Sequence, residues 1–147
     1  MVRFVRNAEL TTPAPYPLPE EDIFGNIKKL RFILKEIAEH KLRTGRDLTV
    51  LDFGCGNAAV LGKYVIGDGI RYVGVDFHEP SLAYARAHFG GSNATFASAV
   101  PDDLVFDVIL YADVLEHVHD PLGILSAHVR QLAPDGIVIG SVPNGYG

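Results

Sequence analysis

Most of what marks a specialised chain is scarce here. There is one cysteine, Cys55, no tryptophan and one methionine in 147 residues. A single cysteine excludes an internal disulfide framework and fits a reducing compartment. No apolar run approaches the length needed to span a bilayer. The opening "MVRFVRNAEL" alternates charged and apolar residues and has no signal-peptide core, so the cytoplasm is the expected location. Basic charge is also thin. Residues 1–50 hold 9 Lys/Arg against 7 Asp/Glu, and residues 51–147 hold 4 against 11. With no basic stripe interleaved with aromatics, nucleic acid is not an expected partner, and neither is a membrane. The chain is nonetheless 48% hydrophobic and long enough for a core of its own.

Pattern along the chain divides it in two. Residues 1–20 contain "TTPAPYPLPEE", whose prolines remove donors and predict an extended arm. That arm is a candidate lid over a bound cofactor. The rest, residues 21–147, reads as one α/β domain. Ile23, Ile27, Leu30, Leu34 and Ile37 recur at helical spacing, with Glu20, Glu21 and Asp22 suited to the helix start and Thr44–Gly45–Arg46 to its end. Strand-like runs then alternate with helix-like segments. "LTVLDF" precedes a short helix "NAAVLGKYV"; "IRYVGVDF" precedes "EPSLAYARAHF"; "ATFASAV" is a weak strand; "FDVILYA" precedes "DPLGILSAHVRQL"; and "PDG" turns into "IVIGSV". This alternation predicts a doubly wound, Rossmann-like parallel sheet with helices on both faces.

In such a sheet, ligands settle outside the carboxyl ends of the strands. "DFGCGNA" lies at one such end. Gly54 and Gly56 can take positive φ and admit a ligand close to the backbone, and a following helix would aim free N–H groups at it. Asp76 ends the next strand 22 positions after Gly54, where a carboxylate can accept the two hydroxyls of a ribose. Asp52 beside the loop would repel a pyrophosphate and attract a cationic group. S-adenosylmethionine, which joins an adenosine to an α-ammonium and a sulfonium, therefore suits the pattern better than NAD.

The chain resembles the class I S-adenosylmethionine-dependent methyltransferases, in particular the small-molecule group similar to ubiquinone-biosynthesis methyltransferases. The likeness covers roughly residues 25–145. It rests on "VLDFGCGNA", "YVGVDFHEPSLAYAR", "FDVILYADVLEHVHDP" and "LAPDGIVIGSVPN", in the family's order and spacing. It implies that Asp52, Gly54, Cys55 and Gly56 line the methionine end of the cofactor. Asp76 would hold the ribose, Phe77 would pack on adenine, and Tyr111, Ala112 and Asp113 would close the site near the sulfonium. Ala58 replaces the third loop glycine of the family. Ser98 stands where many relatives carry an aspartate that contacts the adenine amino group, with Asp102 as the other candidate. The resemblance also implies a further helix and an antiparallel strand pair after "SVPNGYG". The domain therefore reads as incomplete at its C-terminus, with a sheet edge left for self-association.

The implied reaction is in-line transfer of a methyl group to a small-molecule acceptor. Alternatives are a non-catalytic nucleoside-binding fragment or pseudoenzyme, and an NAD-dependent oxidoreductase, for which "GCGNAA" is a poor match. His117 is the candidate proton acceptor, against a competing role in shaping the pocket. "EHVHD" offers potential metal ligands, but its spacing does not define a site, and no metal is expected. Cys55 has no evident histidine partner, so it reads as an apolar filler and not as a nucleophile.

Overall fold

A computed structural model describes residues 2–3 and 26–143. The elements in chain order are β1 (Val2–Arg3), α1 (Asn26–Thr44), β2 (Leu48–Phe53), α2 (Gly62–Val65), β3 (Ile70–Val75), α3 (Glu79–Phe89), β4 (Ala94–Ala97), β5 (Phe106–Ala112), α4 (Pro121–Val129) and β6 (Leu132–Ser141). A 3-10 turn, Leu115–His117, follows β5. The proposed helix start around Ile23, the proline-rich segment and the lid all lie outside the described residues.

The six strands form one sheet in the order β1-β6-β5-β2-β3-β4, and every pairing between them is parallel. From β2 the chain steps outward through β3 to β4, then returns to the other side of β2 for β5 and β6. The direction of winding therefore reverses between β2 and β5, which opens a crevice at their carboxyl ends.

Two cores sandwich the sheet. Apolar residues of α1 (Leu30, Ile33, Ile37), Val65 of α2 and Leu82 of α3 pack on one face, against Val50, Tyr72 and Leu110. Ile124 and Leu125 of α4 pack on the other face, against Ile109, Tyr111 and Val138. Strands covered on both faces explain the unbroken apolar runs "VIL" and "IVI". The crossover from β4 to β5 has no helix. It is held by Gln131, whose Nε2 donates to the carbonyls of Pro101 (2.7 Å) and Leu104 (3.0 Å).

Three sequence expectations are corrected. The helix after the glycine loop is one turn, Gly62–Val65, and not the whole of "NAAVLGKYV". β6 begins at Leu132 and passes through Pro134–Gly136 as an irregularity, since Phe106 pairs with Leu132 and Val108 with Ile137. The edge beside β6, expected to be open for self-association, is partly occupied by the chain's own start: Val2 pairs with Val138 and Arg3 with Ile139.

Candidate functional site

The glycine loop is suspended from β3 by its own amides. The amides of Gly54 (2.8 Å) and Cys55 (3.0 Å) both donate to the Val75 carbonyl. Gly54 (φ 80), Gly56 (φ 55) and Ala58 (φ 62) are all left-handed, which bends the chain sharply away from β2. The two glycines serve different needs. A Cβ on Gly54 would lie 2.5 Å from Val114 Cγ2, so this glycine lets the loop after β5 close against the loop after β2. A Cβ on Gly56 would meet nothing within 4 Å, so the space above it is open.

Asp76 faces that space. Its Oδ2 accepts from the Gly56 N–H (2.8 Å) and its Oδ1 from the His78 N–H (2.9 Å). Each oxygen retains a second lone pair for an incoming hydroxyl. Phe77 follows with 93% of its surface exposed, an unusual setting for a phenylalanine. Ser98, also exposed, comes directly after β4, beside Asp76, whose amide donates to the Ala97 carbonyl (3.2 Å). Asp102 is exposed on the helix-free crossover.

Asp113 sits at the carboxyl end of β5 in a left-handed conformation (φ 53). Its amide donates to the carbonyl (3.0 Å) and the Oγ (3.1 Å) of Ser141 on β6. The Ser141 hydroxyl donates to Asp113 Oδ1 (2.6 Å), and Lys29 of α1 forms an ion pair with Oδ2. Burial pushes the Asp113 carboxyl upward, but the Lys29 and Ser141 bonds outweigh it and hold it below the usual range. Ala112, half-buried, supplies main chain beside it. His117 is exposed, with its Nε2 3.7 Å from Glu116 Oε1.

Two of the residues expected at the cofactor site, Asp52 and Tyr111, have buried side chains. Asp52 is 1% exposed, and its Oδ2 accepts a 2.6 Å hydrogen bond from the Tyr72 hydroxyl inside the α1-side core. Burial raises its carboxyl to about 6, with the Tyr72 bond opposing and nearby Asp76 adding to the rise. Tyr111, 1% exposed, packs into the α4-side core and hydrogen-bonds through its Oη to His128 Nδ1 (2.7 Å). Only its main chain can reach the crevice. Cys55 is half-buried, and burial followed by the charges of Asp52 and Asp76 pushes its thiol far above the range of a nucleophile.

Sequence reasoning missed Lys29, Ser141, Tyr72, Val114 and His128. The i, i+2 alternation of "IRYVGV" puts Tyr72 on the face opposite Val73, but no local signal pairs it with Asp52. Among the described residues, no group of three or more His, Cys, Asp or Glu is arranged to hold a metal ion.

A parallel sheet whose winding reverses at a glycine bend, with an acid ending the neighbouring strand, defines the nucleoside-binding class of doubly wound α/β domains. The pattern of the methyltransferase domain family matches residues 23–146, and the chain belongs to that family. It is 34% identical over 105 residues to a ubiquinone biosynthesis O-methyltransferase of Thiobacillus denitrificans, covering 65% of this chain and 44% of that protein. The same enzyme of Dinoroseobacter shibae is 33% identical over 135 residues, covering 81% and 53%. The chain thus spans about half the length of these curated relatives. Among solved structures, an S-adenosylmethionine-dependent methyltransferase from Clostridium acetobutylicum superposes with a TM-score of 0.64 at 21% identity, covering 80% of this chain and 50% of that one. The plantazolicin methyltransferase BpumL, solved with SAH, gives 0.60 at 19%, covering 69% and 42%. These two likenesses concern the fold.

Proposed function

We propose that this chain is the cofactor-binding part of an S-adenosylmethionine-dependent methyltransferase that acts on a small-molecule acceptor in the cytoplasm. The observation that carries the reading is the open space over Gly56, walled by the Asp76 carboxylate. It is a cradle that any side chain at position 56 would fill. Its chemistry fits an adenosyl group. Asp76 accepts the ribose hydroxyls, Phe77 offers an exposed ring for adenine to stack on, and Ser98, beside Asp76, or Asp102 on the following crossover is the candidate partner of the adenine edge. Bound S-adenosylmethionine supplies a methyl group already activated by its sulfonium, so the protein's task is positioning and exclusion of water.

The amino-acid tail would lie toward the Gly54–Gly56 bend and the Ala112–Asp113 main chain. Asp52 acts there through the field of its buried carboxylate, since its oxygen is already engaged by Tyr72. His117 is exposed beside the crevice and can accept a proton from an acceptor hydroxyl. The dinucleotide alternative is poorly supported. α2 is only one turn long, and the first two loop amides are taken by Val75, which leaves little to receive a pyrophosphate.

Isothermal titration calorimetry with S-adenosylmethionine, S-adenosylhomocysteine and NAD tests the reading directly. Saturable binding of both adenosyl ligands, with none of NAD, is expected; binding of NAD alone would overturn it.

A further inference from the structure

The acids of the sheet differ in what balances them. Asp113 is matched by Lys29, and Asp107 and Asp135 share Arg46. Among the described residues, no cation pairs with Asp52 or Asp76, the two acids that flank the glycine bend. Asp52 is in register with Gly74 of β3, and Asp76 lies two residues beyond that glycine. Cys55, on the bend itself, seats its Sγ over the same glycine: a Cβ on Gly74 would lie 2.9 Å from it. The thiol therefore samples the field of both acids. After burial, the charges of Asp52 and then Asp76 push its pKa upward. A field that penalises an anion at the bend rewards a cation there. Salt screens it little, because Asp52 is buried.

We propose that this unbalanced negative field makes the bend select the sulfonium form of the cofactor over its thioether product, and that a single proton on Asp52 weakens the selection. The inference rests on the adenosyl reading of the crevice. The two ligands share the adenosine, the α-ammonium and the α-carboxylate, so contacts to these groups hold both alike. They differ by one methyl and one positive charge, carried on the sulfur between the ribose and the amino-acid tail. With the ribose on Asp76 and the tail toward Gly54–Gly56, that sulfur falls beside the bend. Loss of the charge on methyl transfer then loosens the product as it forms. The groups around Asp52 set when the selection acts. Tyr72 of β3 donates to its Oδ2, Cys55 and Asp76 face it from the bend and the end of β3, and Asp113 and Lys29, from β5 and α1, offset each other. Burial raises the Asp52 carboxyl to about 6, with Tyr72 opposing and Asp76 adding. The group is thus charged at pH 8 and largely neutral at pH 5, where its share of the field is gone.

Calorimetry with S-adenosylmethionine and S-adenosylhomocysteine at pH 5 and pH 8 tests it on the intact chain. The ratio of the two dissociation constants, thioether over sulfonium, should be about tenfold larger at pH 8 than at pH 5, the scale of one charge acting across several ångströms of protein. In Asp52→Asn the ratio should be the same at both pH values. Tyr72→Phe removes the bond that opposes the rise, so the midpoint of the change should move to higher pH. Near pH 6, heats measured in two buffers of different ionisation enthalpy should show S-adenosylmethionine releasing more protons than S-adenosylhomocysteine. Binding of both ligands with a pH-independent ratio in the parent, or the parent's pH trend retained in Asp52→Asn, would overturn this inference alone. Failure of both ligands to bind would overturn the adenosyl reading with it.

Discussion

The Tyr72 hydroxyl donates to the Asp52 carboxylate at 2.6 Å, inside the core and out of contact with solvent. A carboxylate buried with one neutral partner is held against its desolvation, and its pKa rises from 3.8 to about 6.

That shift sets a pH dependence. The folded state holds its proton more tightly than the unfolded chain. Asp52's contribution is therefore fully present below pH 3.8 and is lost as the pH rises through 6. The loss approaches about 3 kcal/mol, at 1.36 kcal/mol per unit. Asp52→Asn keeps an acceptor for Tyr72 and removes the charge, so urea unfolding should show it more stable than the parent at pH 8 and nearly equal at pH 4. Tyr72→Phe leaves the carboxylate without its partner and should cost about 2 kcal/mol at pH 8.

The two loop glycines should separate folding from binding. Gly54→Ala brings a methyl to 2.5 Å from Val114 in a left-handed conformation and should lower stability by about 2 kcal/mol or more. Gly56→Ala meets no atom, so its cost in stability is about 1 kcal/mol of backbone strain. Its methyl projects into the space proposed for the cofactor, and adenosyl affinity should fall at least tenfold. Thermal melts and calorimetry on the same two samples check both halves.

Asp76→Asn keeps a carbonyl oxygen for one loop amide but removes the charge and half of the acceptor capacity. Hydrogen bonds to charged groups are worth about 1.5–3 kcal/mol. Affinity for S-adenosylhomocysteine should therefore drop at least tenfold, while its 2′,3′-dideoxy analogue, lacking the diol, should bind parent and variant alike. A variant equal to the parent with the full ligand would remove the ribose role.

Lys29→Met takes the cation away from Asp113. The Asp113 carboxyl should then titrate at higher pH, seen by carbon-detected NMR. Because its pKa is depressed in the folded state, the ion pair contributes above the ordinary carboxylate range and is lost as pH falls through the folded value. The pair is partly exposed, so the loss at pH 7 should be only about 1 kcal/mol after solvent screening.

Much of the sheet was legible because local pattern and tertiary setting agree. β2 and β5 match "LTVLDF" and "FDVILYA" residue for residue, and α3 matches "EPSLAYARAHF". Misses arise where a distant contact decides. α2 shrank because the Asn57 side chain turns the chain at Ala59 (3.0 Å) and Gly62 packs under the Tyr72 hydroxyl. β1 carries no local signal, since its partner lies at the far end of the sequence. For the site, the positions of Gly54, Gly56 and Asp76 follow from spacing along the chain. Which way Asp52 and Tyr111 point depends on strand register, and Lys29 reaches Asp113 only because α1 crosses that face of the sheet.

A single peptide oxygen, the Val75 carbonyl, anchors the first two amides of the glycine bend, while Asp76, the next residue, fastens the third glycine-loop amide. The walls of the crevice are thus stitched together by the protein's own hydrogen bonds. Little chain entropy remains to be lost on capture, so association should proceed in one kinetic phase, linear in ligand concentration, without a slow ordering step.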